Sequence, residues 1–117
     1  MAIPKLHENS EYKKLLSRFY NEVNKEIYGF GVNQLKISIE DNVILFLVKH
    51  QRVMALKALE LRHAPTKMAV DHALHSEFKF RFLKKAEAEM NLKVISILRD
   101  YDPSTEWAST IVIIEFN

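Results

Sequence analysis

The chain contains no cysteine among its 117 residues. This absence excludes disulfides, thiolate catalysis, cysteine-bound zinc and iron–sulfur clusters. Glycine occurs twice and proline three times, which excludes long flexible linkers and low-complexity tracts. Neither sign of charge dominates, because 17 Lys and Arg stand against 15 Asp and Glu and leave a formal net charge of +2. A charge this small does not indicate a nucleic-acid-binding protein.

Long apolar runs are missing as well. The longest uncharged apolar run, Val43 to Val48, is far shorter than the roughly 20 residues that span a bilayer. The first residues show no stretch of signal-peptide length. We therefore expect a cytoplasmic protein without transmembrane insertion. The hydrophobic share of 48% and the length fit a single globular domain over residues 1–117, of which residues 1–9 are expected to be loosely ordered.

A helix is predicted near the N-terminus. From Glu11 to Tyr28, apolar residues recur at steps of three and four, which is the spacing of one stripe of an α-helix. Asn9 or Ser10 can cap its start, because their side-chain oxygens can accept from the free N–H groups of the first turn. Gly29 follows where a left-handed residue often ends a helix, and Gly31 continues the tight turn.

A β-hairpin is predicted next. Leu35, Ile37 and Ile39 alternate with polar residues, the pattern of a half-buried strand. Asp41-Asn42 can form a two-residue turn, since both residue types tolerate positive φ. The run Val43 to Val48 is apolar on both faces, so we expect a central strand that is covered on both sides.

Two helices follow the hairpin. Residues Gln51 to His63 are rich in Leu, Ala and Met and predict a short helix. Pro65 interrupts it, and Thr66 offers a cap for a long helix that runs to about Met90.

Two further strands are predicted, Leu92 to Leu98 and Thr110 to Phe116, joined by the turn-forming segment Arg99 to Glu106. The element order is therefore αββααββ. It predicts a two-layer α+β domain with a four-stranded antiparallel or mixed sheet and helices packed on one face.

The long helix is apolar on two sides. At 100° per residue, one side carries Ala69, Ala73, Ser76, Phe80 and Leu83, and the other carries Leu74, Phe78, Phe82 and Ala86. Because one side can pack on the sheet, the other needs a second cover. We expect the side formed by Leu74, Phe78, Phe82 and Ala86 to be an interface in a homodimer or with a partner protein.

The histidines offer a metal-site hypothesis. His72 and His75 are three residues apart on the long helix. A zinc site needs three or four converging ligands with supporting groups around them, and nothing in the sequence places other histidines nearby. We therefore expect no metal and no cofactor.

Two carboxylates stand at a strand end, where ligand-binding groups often lie. Asp100 and Asp102 could bind a ligand there, but an aspartate before Pro103 is also typical of a turn. Both interpretations stay open.

The order and spacing of these pieces resemble the MpsC-like family, small bacterial proteins named for a sodium-translocating membrane-potential-generating system. The resemblance covers about Ser10 to Asn117. It rests on Tyr28-Gly29-Phe30-Gly31, the strand pair around Glu40 to Val43, the Leu-rich stretch Ala55 to Glu60, the segment Val94 to Asp102 and the closing strand Ile111 to Phe116. Val32 and Asn91 stand where the family often has proline and glycine.

This resemblance implies a non-enzymatic cytoplasmic accessory domain associated with a membrane transport system for cations or inorganic carbon. It offers no catalytic residues to carry over. The alternative hypothesis is a small-ligand- or metal-binding protein with a pocket near the strand ends, where Asp100, His72 and His75 would lie.

Overall fold

The computed structural model describes residues 10–51 and 53–115. Its elements are α1 (Ser10–Tyr28), β1 (Gln34–Glu40), β2 (Val43–Lys49), α2 (Met54–Ala58), α3 (Ala64–Met90), β3 (Val94–Asp102) and β4 (Trp107–Ile114). The predicted α+β class and the αββααββ order are confirmed. The sheet is antiparallel throughout, with strand order β1-β2-β4-β3.

The β1–β2 hairpin forms as its sequence predicts. Glu40 pairs with Val43 across a two-residue turn, and Asp41 adopts φ 52°, as a tight hairpin turn requires. The side chain of Asn42 donates to the backbone oxygen of Ile114 at 3.1 Å. This bond ties the turn to the end of β4.

Helix α1 ends at a left-handed glycine. Gly29 has φ 86°, and its N–H donates to the carbonyl of Lys25 at 2.9 Å, which satisfies one of the last free carbonyls of the helix. Gly31 has a different role. A Cβ built there would lie 2.7 Å from Oδ1 of Asn21, the same atom that accepts from the backbone N–H of Val32 at 3.0 Å.

The two later helices differ from the prediction at their boundaries. Only Met54 to Ala58 of the first predicted helix is helical, and α3 begins at Ala64 rather than after a cap at Thr66. Pro65 lies in the first turn of α3, where its missing N–H would have no partner in any case. At the other end, Asn91 takes the left-handed conformation with φ 54°.

The last two strands also shift. The prediction ended β3 at Leu98 and treated Arg99 to Glu106 as a link, but β3 continues to Asp102 and β4 already begins at Trp107. Pairing explains the difference, because β3 is held in register with β4 from Leu98 as far as the pair Asp102 and Trp107. Long-range pairing overrides the local turn preference here.

The core lies between the sheet and the two long helices. Tyr20 of α1 is fully buried at its centre. Its ring lies 5.0 Å from the ring of Phe46 and 4.8 Å from that of Phe78, separations typical of favourable aromatic pairs. Its hydroxyl lies 3.1 Å from Oγ1 of Thr110, so both buried hydroxyls have a partner.

The predicted partner face of the long helix is wrong. Phe78, Phe82 and Ala86 are buried inside this chain, and Leu74 is half-buried. Helix α1 packs against α3, and its Tyr20 ring contacts both phenylalanines. These side chains are therefore not free to bind a partner. The opposite side of α3 is the exposed one, with Phe80 55% exposed.

No helix in the described part of the chain combines the length and the apolar character that a bilayer crossing requires. Three predictions fall outside the described residues: the cap at Asn9, the loose order of residues 1–9, and the place of Phe116 in the last strand.

Candidate functional site

A small cavity lies at one end of the sheet. Strands β2 and β3 both pair antiparallel with β4, so they run in the same direction and their C-terminal ends lie at the same edge. The cavity beside these ends has a volume of about 30 Å³. Its lining residues come from α1, α2, α3, β3 and the segment after β2: Tyr28, His50, Gln51, Val53, Leu56, Asp71, His75, Arg99 and Tyr101.

Arg99 of β3 lines this cavity from the inner face of the sheet. In β3, Arg99 pairs with the buried Thr110 and Tyr101 pairs with the buried Ala108, so both side chains share the inner face. The guanidinium carbon of Arg99 lies 4.0 Å from the ring centroid of Phe78. An arginine on an aromatic face is a favourable cation–π contact.

The guanidinium of Arg99 is only partly hydrogen-bonded. Its Nη1 donates to the hydroxyl of Tyr28 and to Nδ1 of His75, both at 3.1 Å. Its Nε and Nη2 are buried and have no hydrogen-bond partner within residues 10–51 and 53–115. Burial disfavours the charged form, but the hydroxyls of Tyr20 and Tyr28 outweigh it and raise the pKa of Arg99. The side chain is therefore a buried cation with unused N–H groups.

No carboxylate in the described part of the chain forms an ion pair with Arg99. Asp71 also lines the cavity, but its Oδ2 lies 3.0 Å from Nζ of Lys67, one turn earlier on α3. Buried charges are normally paired. No described residue therefore compensates the positive charge at the cavity.

His50 forms the centre of an aromatic stack in the cavity wall. Its ring centroid lies 5.3 Å from that of Tyr28 and 4.7 Å from that of Tyr101. Its Nδ1 lies 3.1 Å from the carbonyl oxygen of Gln51. A carbonyl only accepts, so the proton is on Nδ1 and the lone pair is on Nε2. Nε2 is buried, and no group of the described residues binds it.

The charge state of His50 follows from its surroundings. Burial and the nearby Arg99 cation lower its pKa from 6.5 to about 4. The ring is consequently neutral at pH 7, and its Nε2 is a hydrogen-bond acceptor without a partner in the described residues.

His75 is also neutral at pH 7, in a defined tautomer. Arginine can only donate, so Nδ1 of His75 must accept from Nη1 of Arg99. The ring proton of His75 is therefore on Nε2. Burial and then the charge of Arg99 lower the pKa of this histidine.

The predicted site residues meet only in part. His75 lines the cavity, but His72 is exposed and does not line it. Asp100 and Asp102 are exposed and alternate with Arg99 and Tyr101, which places them on the outer face of the sheet. Neither carboxylate lines this cavity, and a ligand role for them elsewhere stays a prediction.

Asp102 instead builds the turn after β3. Its Oδ1 accepts from the backbone N–H of Ser104 at 3.0 Å and from the Ser104 hydroxyl at 2.8 Å. Both bonds lower the pKa of Asp102, and the bond from the Ser104 hydroxyl has the larger effect. The turn interpretation of this residue is the one the geometry supports.

A metal centre finds no support in the described residues, where no three His, Asp or Glu side chains come together to hold an ion. In particular, His75 uses its Nδ1 on Arg99.

Sequence reasoning missed the residues that matter most here, His50, Arg99 and Tyr101. One signal was present. In the series Ile97, Arg99, Tyr101, the arginine takes an inward position that apolar residues take elsewhere in the sheet. A charged residue at an inward position of the alternating pattern indicates either that the strand has ended or that the residue has a function. The prediction ended the strand before Arg99.

Comparisons of this chain with protein-family models, with curated proteins and with solved structures found no match. The resemblance to the MpsC-like family therefore stays a prediction.

Proposed function

We propose that this protein binds a small oxyanion in the cavity beside Arg99. The observation that supports the proposal is the buried guanidinium, whose Nε and Nη2 atoms have no partner in the described residues. These two nitrogens carry three N–H bonds, and adjacent N–H groups of arginine match the two oxygens of a carboxylate or phosphate. An anion bound there would supply the counter-charge that Asp71, paired with Lys67, does not.

The neutral His50 narrows the class of ligand. His50 lines the cavity, its Nε2 is a buried acceptor without a partner in the described residues, and a fully ionised oxyanion has no hydrogen to offer it. An oxyanion that keeps a proton satisfies both groups, with its ionised oxygens on Arg99 and its O–H on His50. Dihydrogen phosphate and hydrogencarbonate have this chemistry at neutral pH.

The size of the cavity sets an upper limit on the ligand. The volume of about 30 Å³ is that of a cavity for a few water-sized groups. Nucleotides and sugars exceed it, so the proposal is restricted to small anions.

The test is isothermal titration calorimetry of the purified protein with phosphate, hydrogencarbonate, sulfate and chloride in separate runs. We expect phosphate or hydrogencarbonate to bind with a Kd below about 1 mM and sulfate and chloride to bind at least about tenfold more weakly. Arg99→Met should weaken binding at least about tenfold, because it removes the charge and the three free N–H groups on Nε and Nη2. The matched control is Arg18→Met, which removes an arginine that is 62% exposed in the middle of α1.

Two results would overturn the proposal. The first is no heat of binding from any of the four anions at about ten times that Kd limit. The second is an equal loss of affinity in Arg99→Met and Arg18→Met, which would indicate a general charge effect.

The MpsC-like resemblance supports a separate proposal, a non-enzymatic role as a cytoplasmic accessory domain of a membrane transporter. A tagged pull-down from gently solubilised native membranes tests it. Enrichment of transporter subunits over an untagged control would support the role, and recovery of the protein only with itself would contradict it.

A further inference from the structure

The outer face of the sheet is open in the single chain and has an apolar centre between charged edges. The inward positions of β2 and β4 are buried, and most of them belong to one core cluster with α1 and α3, whereas the outward positions face away from the helices. Leu45 and Leu47 of β2 are 37% and 38% exposed, and Leu98 of β3 is 52% exposed. Ile111 and Ile113 of β4 complete the same surface, since they pair with these strands at outward positions.

The sequence predicted that β2 is covered on both sides, and the helices cover only one. The outer face spans four strands of about 4.8 Å spacing and seven residues of about 3.3 Å rise, or roughly 400–450 Å² per chain. Two such faces together give roughly 800–900 Å², which is below the range of stable interfaces and within that of weak, transient ones. The surface is therefore large enough for a reversible association.

The charged residues at the two edges of this face indicate which partner covers it. The register aligns Lys36 with Leu47, Leu47 with Ser109, and Ser109 with Asp100. These four residues form one row across the outer face, with the lysine at the β1 edge and the aspartate at the β3 edge. Three strand spacings, about 14 Å in total, separate the two charges. They cannot form an ion pair within one chain.

We propose that a second copy of this chain covers the face, related by a two-fold axis that runs parallel to the strands. Such an axis exchanges the left and right edges of the stacked sheet but keeps each row at its own height. It therefore places Lys36 of each copy over Asp100 of the other and stacks the leucines and isoleucines between them. The packing distance of about 10 Å between stacked sheets is within reach of a lysine and an aspartate side chain together.

The other in-plane orientation brings like edges together. A two-fold axis perpendicular to the strands would stack β3 on β3 and reverse the order of the rows, so that Asp100 of one copy lies over Leu98 of the other and Lys36 lies over Ser38. Both charges would then be covered without a partner, which opposes association. The charge pattern thus selects the axis parallel to the strands.

The experiment is sedimentation equilibrium of the full chain over a range of concentrations. We expect the mass to rise from 13.7 kDa to twice that value, with a dimer Kd in about the micromolar range. Leu47→Glu should raise this Kd at least about tenfold, because it places a charge in the apolar centre of the interface. Glu87→Lys on the exposed surface of α3 is the control and should leave the Kd unchanged.

Charge reversal tests the orientation and does not depend on the leucine variant. Lys36→Asp and Asp100→Lys should each raise the dimer Kd about tenfold, and the double variant should restore it to within about threefold. Rescue reports a contact between chains, since the two positions are too far apart to meet in one.

A monomeric mass at every concentration would overturn the proposal. So would a dimer that Leu47→Glu leaves intact, or single charge reversals that the double variant does not rescue. Circular dichroism would confirm that each variant is folded.

Discussion

Nη1 of Arg99 donates to Nδ1 of His75 over 3.1 Å, and this bond joins the inner face of β3 to the middle of α3. The same nitrogen also donates to the hydroxyl of Tyr28 at the end of α1. One side chain therefore connects three elements that the chain contributes at widely separated positions. The connection holds the guanidinium in place, while its Nε and Nη2 are buried and have no partner in the described residues.

Arg99→Met should abolish anion binding with little loss of stability. A buried cation without a carboxylate partner costs desolvation free energy, and an apolar side chain of similar length avoids that cost. The variant also loses the contact with Phe78 and two hydrogen bonds, and these losses lower its stability. We expect the free energy of unfolding in anion-free buffer to change by no more than about 1 kcal/mol. Urea denaturation measures it, and a loss of several kcal/mol would indicate that Arg99 serves the fold.

The same substitution should raise the pKa values of both cavity histidines. Burial is the first cause of their lowered values, and the charge of Arg99 is the second. Removing the cation leaves burial in place, so both pKa values should rise but stay below 6.5. Proton NMR titration of the ring C–H signals follows them directly. Unchanged titration of His50 and His75 in Arg99→Met would contradict the geometry described here.

Stability should fall on mild acidification because of His50. The unfolded chain takes up a proton on this residue below pH 6.5, but the folded chain does so only below about pH 4. The contribution of His50 to the free energy of unfolding is therefore complete above pH 6.5 and decreases between pH 6.5 and 4. Below that range this residue causes no further decrease. The displaced pKa corresponds to roughly 3 kcal/mol. The lowered pKa of His75 acts in the same direction.

His50→Gln tests this assignment, since glutamine cannot titrate in the range. Urea denaturation of both proteins at intervals from pH 7.5 to pH 4 should show a smaller decrease in the variant, with a remainder from His75. Parallel curves for the two proteins would assign the acid sensitivity to other groups.

The local parts of the fold were predictable from the sequence, and the candidate site was not. The end of helix α1 at Gly29 and the hairpin turn at Asp41 could be predicted because both depend only on the local apolar periodicity and on one left-handed residue. The site depends on pairings across the chain. Arg99 is an inner-face residue only because β3 continues in register with β4, and no local pattern extends that strand through Asp100 and Asp102.

The misassigned faces of α3 have a similar cause. Two apolar sides were visible in the sequence, but which side α1 covers depends on the tertiary packing. Phe78 illustrates the consequence, because the residue predicted to bind a partner instead contacts Tyr20 on α1 and Arg99 on β3.

Gly31→Ala should destabilise the fold through Asn21. The new Cβ would lie 2.7 Å from Oδ1 of Asn21, so that side chain must move and release the backbone N–H of Val32. Loss of this bond costs about 1 kcal/mol. Gly29→Ala should cost a similar amount for another reason, the strain of a side chain at φ 86°. Asn21→Ala separates the two effects. In that background Gly31→Ala should become nearly neutral, whereas Gly29→Ala should keep its cost in urea denaturation.

Phe82→Ala should strongly destabilise the single chain. Phe82 is 1% exposed, and its ring lies 5.4 Å from that of Phe46 and 6.2 Å from that of Tyr20. Truncating a phenylalanine in such a core leaves a cavity and costs about 3–5 kcal/mol. Phe80→Ala is the matched control on the exposed side of α3 and should cost less than about 1 kcal/mol. Urea denaturation under identical conditions compares the two. Equal losses of stability in the two variants would mean that α1 does not cover the side of α3 that carries Phe82. A change of the mass in solution without loss of stability in Phe82→Ala would restore the partner-interface interpretation.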